Sequence, residues 1–314
     1  MKISLIFPGQ GSQFVGMGKD FYDSFVVAKD VYSQLDSSLD RSLSKIIFSG
    51  PEDELTNTIN SQPSIMATSI AIYNTIVEEG LIEKELIKFV AGHSLGEYSA
   101  LVVNESISLI DSIKLLDIRS RAMQESMPIG TGGMAAIIGK KLIDVEKILP
   151  EIQKHGKIFI ANDNADGQVV LSGEIKSIEF ICKNYKEFKI KRAIQLPVSA
   201  PFHCELIESA SVKLEHEIAN QEFNNFIFPL YSNVTGEPCS NETIKDLLVR
   251  QIVNRVRWRE SIENMIKDDV DCFIEIGPGT VLTNLVKRIN REVKAISISS
   301  VKDLEKIKLI DSDL

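Results

Sequence analysis

What this chain lacks narrows it first. Its four cysteines, Cys182, Cys204, Cys239 and Cys272, lie far apart and include no C-x-x-C pair. Neither zinc-site spacing nor a disulfide framework is therefore indicated, and free thiols in a reducing compartment are expected. No window reaches the roughly 18 consecutive apolar residues of a spanning helix. The chain also passes from Met1 and Lys2 straight into a short strand-like run, without the basic, apolar and cleavage segments of a leader. A cytoplasmic protein that does not enter a membrane is expected. Positive charge is scarce too: 35 Lys and Arg against 44 Asp and Glu leave a net charge of −9. That argues against non-specific nucleic-acid binding, which needs basic groups to replace phosphate counterions.

What is present has the grammar of an α/β fold. The 314 residues, 44% hydrophobic and 25% charged, suffice for a sizeable core. Apolar runs at Ile3–Phe7, 86–91 and Cys272–Ile276 each lead into a Gly-containing turn and then a helical pattern, which is how parallel sheets are built. Ligands bind at the carboxyl ends of such strands. The middle reads differently: strand 134–138, helix 142–153, strands 157–161 and 168–172, helix 175–185 and strand 189–196. The order β-α-β-β-α-β is that of a ferredoxin-like unit. Gly130, Gly132 and Gly133 mark its entry, and Pro197 and Pro201 its exit. The expected organisation is a large α/β-hydrolase-like catalytic domain with a parallel sheet core, residues 1–127 and 198–314. It is interrupted by a small ferredoxin-like subdomain, residues 128–197, with the active site in the cleft between them.

Two glycine-rich turns are candidates for chemistry. The first, FPGQGSQ, follows the opening strand but fits no phosphate motif: Phe14 stands where G-x-G-x-x-G needs glycine, and Met17 where a P-loop needs lysine. From the loop alone a tight structural turn is favoured, with backbone N–H groups aimed at a smaller anion as the alternative. The second, AGHSLGEYS, contains G-x-S-x-G between a strand and a helix. That is the context of a nucleophile elbow, in which glycines relieve crowding around an exposed serine, here Ser94. A helix N-cap is the bland alternative for Ser94, but it leaves the flanking glycines unexplained.

A serine hydroxyl needs a base, and only four histidines are available. His93 adjoins the serine, where successive side chains diverge, and is read as structural. His155 sits at a polar helix end and His216 on a charged helix face. His203, in LPVSAPFHCE, is placed by two prolines just before a helical run and is the best base. An α/β-hydrolase would add an acid between serine and histidine. Asp163 and Asp166 are the candidates, and both fall inside the inserted unit. On the helical pattern SISLIDSIKLLDIRSRAMQESM, Arg119 shares the apolar stripe of Leu115, Leu116, Ala122 and Met123, whereas Arg121 is an ordinary surface charge. Arg119 is either a snorkelling or ion-paired side chain or a guanidinium held dry to clamp a carboxylate.

Six blocks, FPGQGSQFVGMG, GHSLGEYSALV, IRSRAMQ, NADGQVVLSG, VSAPFHC and EIGPGTVLTNLVKRI, together resemble the malonyl-CoA:acyl carrier protein transacylases and occur in that family's order. The resemblance implies that Ser94 attacks the malonyl thioester with His203 as general base. It also implies that the backbone N–H groups of Gln10 and Leu95 hold the oxyanion and that Arg119 pairs with the malonyl carboxylate. His203 would be oriented by the main-chain carbonyl of Gln251 in place of an acid. Phe202 before His203 matches the malonyl-selective pattern. One departure is Arg255, in NRVRW, where the family often has proline.

The partners implied are malonyl-CoA and holo acyl carrier protein, with no nucleic acid and no membrane; no metal or other cofactor is needed, and a monomer is expected. The basic runs from Lys183 to Arg192 and from Lys287 to Arg291 are candidate docking surfaces, though such runs are usually solvated faces. A serine esterase or thioesterase, a polyketide-pathway acyltransferase and a non-catalytic docking domain are the competing readings.

Overall fold

A computed structural model describes residues 1–198 and 200–311. Ser199, in the VSAPFHC block, lies outside the described residues. Among the described residues ten strands form two sheets: β1 (Ile3–Phe7), β2 (Ile87–Gly92), β3 (Gly132–Ile138), β4 (Ile158–Ala165), β5 (Gln168–Glu174), β6 (Arg192–Gln195), β7 (Leu230–Tyr231), β8 (Pro238–Cys239), β9 (Cys272–Ile276) and β10 (Lys294–Ile298).

The larger sheet has the order β10-β9-β1-β2-β7-β8. Its first five strands run parallel, and β8 closes the edge antiparallel to β7. Every residue of β1 and β9 is buried, as a parallel sheet covered on both faces requires. Alternation along β1 sorts the two faces. Leu5 and Phe7 join the core formed with helices Val26–Leu39, Thr58–Glu78 and Leu109–Glu125, whereas Ile6 joins Trp258, Ile262 and Val286 of helices Trp258–Lys267 and Val281–Ile289 on the other side. Helix Thr58–Glu78 is buried along most of its length, and the polar residues it buries are mostly small hydroxyls, Ser61, Ser64, Thr68, Ser69 and Thr75 among them. The EIGPG turn after β9 is held by buried Glu275, whose carboxylate accepts the N–H groups of Leu282 and Thr283 at 2.9 and 2.8 Å and so caps the following helix.

The smaller sheet is antiparallel, in the order β4-β5-β3-β6. Helices Leu142–Gln153 and Ile175–Asn184 pack on one face through Ala135, Ile137, Val169 and Leu171, while Met134, Ala161 and Val170 point the other way into the main core. The sequence expectations hold for the type of each element and slip at several ends. β4 runs on to Ala165 because it stays paired with β5 across the hairpin, Ala165 opposite Gln168, and Val256 adds one bridge at Asn162: Val256 N–H donates to Ala161 O and Asp163 N–H to Val256 O. β6 is shorter than expected because Lys189 has φ 53° and closes a turn on Lys186 instead of extending the strand. The second strand begins at Ile87, since Lys84–Leu86 form a 3₁₀ turn.

Candidate active site

The carboxyl ends of β1 and β2 lie side by side, with Phe7 opposite Gly92, so FPGQGSQ and GHSLGEYS meet at one edge of the sheet. The elbow is as tight as its pattern predicts. A Cβ on Gly92 would lie 1.8 Å from the carbonyl carbon of Gly96, and one on Gly96 would lie 2.2 Å from Phe7 O. A Cβ on Gly9 would lie 2.6 Å from His93 O, so the opening loop also needs glycine to approach the elbow. Between them Ser94 adopts φ 54°, a left-handed conformation rare outside glycine. Asn233, just after β7, holds this turn from across the fold: its Oδ1 accepts Ser94 N–H at 2.7 Å and its Nδ2 donates to Gly92 O at 2.7 Å.

Ser94 Oγ lies 2.8 Å from His203 Nε2, and His203 Nδ1 lies 2.8 Å from Gln251 O. A carbonyl can only accept, so Nδ1 carries the proton and Nε2 presents its lone pair to the serine hydroxyl. Burial and the nearby Arg119 charge lower the His203 pKa to about 3, so the imidazole is neutral. Neither acid considered as a third member is bonded to it. Asp163 is bound by Arg259 at 2.8 Å, and Asp166 pairs with Lys141 at 2.8 Å.

Arg119, on helix Leu109–Glu125, is only 1% exposed. Its Nη1 donates to Gln62 Oε1 at 2.5 Å, and its Nη2 to Gln251 Oε1 at 2.8 Å and Ser94 Oγ at 3.1 Å, while Nε has no partner among the described residues. The guanidinium carbon stands 5.7 Å from the Tyr98 ring centroid. Among the described residues no carboxylate forms an ion pair with this guanidinium, which leaves a dry cation beside the Ser94 hydroxyl and able to receive an anion. Snorkelling is ruled out by its burial. Arg121 instead pairs with Asp117 at the surface, at 2.8 Å.

These groups line a cavity of about 160 Å³ together with Gln10, Leu95, Met134, Leu196 and Phe202. That is well below the roughly 300 Å³ at which sites for drug-sized ligands begin, so the inner site suits a short acyl group. Among the described residues the amides of Gln10 and Leu95 donate to no acceptor, which leaves both N–H groups available at the cavity wall. His93 also lines the cavity, but its Nε2 is bonded to Asn164 Oδ1 at 2.8 Å and its ring packs on Trp258. His155 stacks on Phe180, His216 is exposed beside Glu217, and neither lines the cavity. Arg255 pairs with Glu146 and Glu260 and leaves the contact between His203 and Gln251 O intact. Among the described residues no group of three or more His, Cys, Asp or Glu is arranged to hold a metal ion.

Several residues escaped the sequence analysis. Gln62 shares Arg119, Asn233 clamps the elbow, and the side chain of Gln251 joins Arg119 to a buried acid, Glu97. Glu97 is 1% exposed; burial, only partly offset by hydrogen bonds and Arg119, raises its pKa to about 7. Its one signal in the sequence is position. It stands three residues after Ser94, on a helix whose other residues are aromatic, aliphatic or small.

Residues 4–310 match the family described as the acyl transferase domain. The malonyl CoA-acyl carrier protein transacylase of Bacillus subtilis (strain 168) is 40% identical over 306 residues, covering 97% of this chain and 95% of the relative. The crystal structure of the acyl-carrier-protein-S-malonyltransferase from Bartonella henselae superposes with a TM-score of 0.95 at 44% identity, covering 99% of each chain. A malonyl-transacylase solved in complex with its type II PKS acyl-carrier protein gives a TM-score of 0.94 at 36% identity, covering 98% of this chain and 99% of that one. With the elbow, its histidine and the buried arginine all in place, this chain belongs to the acyl transferase domain family, among the malonyl CoA-acyl carrier protein transacylases.

Proposed function

We infer that the protein moves the malonyl group from malonyl-CoA to the phosphopantetheine thiol of acyl carrier protein and so supplies fatty acid biosynthesis. One observation carries the reading: Ser94 Oγ is held between His203 Nε2 at 2.8 Å and an otherwise dry guanidinium, Arg119 Nη2, at 3.1 Å.

Ser94 Oγ attacks the thioester carbonyl while His203 Nε2 takes the hydroxyl proton. The oxyanion is received by the N–H groups of Gln10 and Leu95. Collapse breaks the C–S bond, the departing CoA sulfur takes the proton from His203, and malonyl-Ser94 remains. The carrier thiol then attacks this ester, giving its proton to His203. Expulsion of Ser94 Oγ, which takes that proton back, completes the cycle. Arg119 pairs with the malonyl carboxylate throughout. Because an acetyl group would leave Arg119 dry and unpaired, discrimination of about 10⁴-fold is within reach of such a contact. The Gln251 carbonyl orients His203, and Phe202 narrows the cavity against branched acyl groups. The chemistry calls for no metal or other cofactor.

Mixing with malonyl-CoA should add one malonyl mass to Ser94 in an intact-mass spectrum, and acyl carrier protein should remove it; equal labelling by acetyl-CoA would sink the role of Arg119. An esterase would need an acid on His203, where a carbonyl stands instead. A polyketide carrier is the other destination this chemistry fits, and transfer rates to the two classes of carrier decide between them.

The same reading extends to architecture. The strand order β4-β5-β3-β6, with both crossover helices on one face, supports a ferredoxin-like subdomain at 128–197 inside a hydrolase-like domain at 1–127 and 198–314. All groups in the mechanism come from one chain, which supports activity as a monomer, and four free cysteines suit a reducing cytoplasm.

A further inference from the structure

Glu97 belongs to the site although nothing in the acyl transfer just described uses it. Its Oε2 is in contact with Gln251 Nε2, and its Oε1 accepts Asn233 N–H at 3.1 Å. Both partners are amides that also touch the reacting groups. The other end of the Gln251 amide accepts from Arg119 Nη2 at 2.8 Å, its Nε2 also donates to Ser94 O at 3.0 Å, and its main-chain carbonyl holds His203. Asn233 Oδ1 holds Ser94 N–H. Glu97 and Arg119 are thus the two ends of one buried relay, Arg119–Gln251–Glu97, with a neutral amide between the charges.

We propose that Glu97 is a positioning residue for malonyl recognition, balancing Arg119 in the empty site and taking up a proton from solvent when the malonyl carboxylate binds there. The inference rests on the assignment of the malonyl carboxylate to Arg119. In the empty site one guanidinium faces one carboxylate, and the buried charges cancel. A malonyl group adds a second carboxylate to the same guanidinium, leaving an excess negative charge in a dry cavity, where it is costly. Protonation of Glu97 restores neutrality. The other ionisable groups that face Glu97 do not supply this proton balance. The Tyr98 phenol on its own helix and the Cys239 thiol from β8 are both kept neutral, since burial pushes their pKa values up. Burial already raises the Glu97 pKa to about 7, so little additional negative charge is needed to protonate it near neutrality.

The test uses the whole wild-type protein with malonyl-CoA. Because the protonated form of Glu97 is the one that accepts malonyl, kcat/KM for acylation should fall about tenfold per pH unit above roughly pH 7, while kcat at saturating malonyl-CoA changes little. In weakly buffered single-turnover mixing with a pH indicator, wild type should take up more protons per malonyl-Ser94 formed than Glu97→Gln does, by up to one. The carboxamide removes the titration while keeping a carbonyl for Gln251 Nε2, so Glu97→Gln should acylate with a flat profile over the same range. A flat wild-type profile, or equal proton counts in the two proteins when both form the adduct, overturns the proposal and leaves the malonyl assignment standing. No adduct on folded wild type would overturn the malonyl assignment instead. If Glu97→Gln does not fold, the wild-type profile decides alone.

Discussion

At the scale of single residues, the site depends on buried polar groups that each satisfy more than one partner. Asn233 is the clearest case, because one side chain accepts Ser94 N–H and donates to Gly92 O. Replacing it with alanine leaves those two elbow groups short of a partner, and each such group costs about 1–3 kcal/mol when buried. Asn233→Ala is therefore expected to lower unfolding stability by about 2–6 kcal/mol in urea titrations. Acylation by malonyl-CoA should fall as well, because the φ 54° conformation of Ser94 is no longer held. Asn233→Asp should fail almost as badly, since it keeps the acceptor but cannot donate to Gly92 O. Full activity and stability in either variant would show that the glycines alone hold the turn.

At the scale of elements, the strand-turn-helix at the end of β2 works because two glycines let the elbow helix Gly96–Val103 meet β1 and β2 backbone to backbone. The flanking glycines are therefore not equivalent to the loop glycines elsewhere. Gly92→Ala puts a methyl group 1.8 Å from backbone that has nowhere to go, and loss of about 3 kcal/mol or more, or failure to fold, is expected. Gly11→Ala is a useful contrast: nothing lies within 4 Å of the added Cβ, and only the cost of φ +99°, about 1–2 kcal/mol, remains. Thermal unfolding of the pair checks this, and a similar loss in both would mean that the contact at Gly92 is relieved by backbone movement. At this scale the sequence was largely legible. β1 and β9 have the ends expected of them, and the β-α-β-β-α-β order stands, because short apolar runs bounded by glycine carry strong local signals. β4 and β6 slipped because pairing with β5 carries one through Asn162 and Asp163 to Ala165 and a left-handed residue, Lys189, shortens the other.

At the scale of the whole molecule, two buried ionisable groups bend stability with pH in opposite senses. The pKa of His203 is lowered from 6.5 to about 3 in the folded protein, so its contribution is complete above pH 6.5 and is lost as pH falls toward 3. The pKa of Glu97 is raised from 4.5 to about 7, so its contribution is complete below pH 4.5 and is lost as pH rises through 7. Between about pH 4.5 and 6.5 the two slopes oppose each other. Glu97→Gln removes one of them, so urea titrations from pH 4 to 8 should show its stability beginning to fall at about pH 6.5 on acidification, whereas wild type holds to about pH 4.5. Parallel curves for the two proteins would mean that Glu97 ionises normally in the fold.

The residues to which the proposed chemistry is assigned were readable from sequence because each carries a local signature. A strand running into G-x-S-x-G points to Ser94, elimination among four histidines leaves His203, and an arginine on an apolar stripe singles out Arg119. The six blocks in order supplied the family. What sequence could not supply is the network that makes those residues work. Asn233 reaches Ser94 across 139 positions, Gln62 reaches Arg119 across 57, and Gln251 reaches Glu97 across 154, with no spacing or periodicity to announce any of them. Amides and an acid on ordinary helices and loops have no local pattern, because their roles come from what packs against them. Only the tertiary structure brings the ends of β1, β2 and β7 to one edge, excludes water there, and so turns Glu97 and Arg119 into two buried charges sharing one amide. Burial decides what each charge is worth, and burial belongs to the fold as a whole.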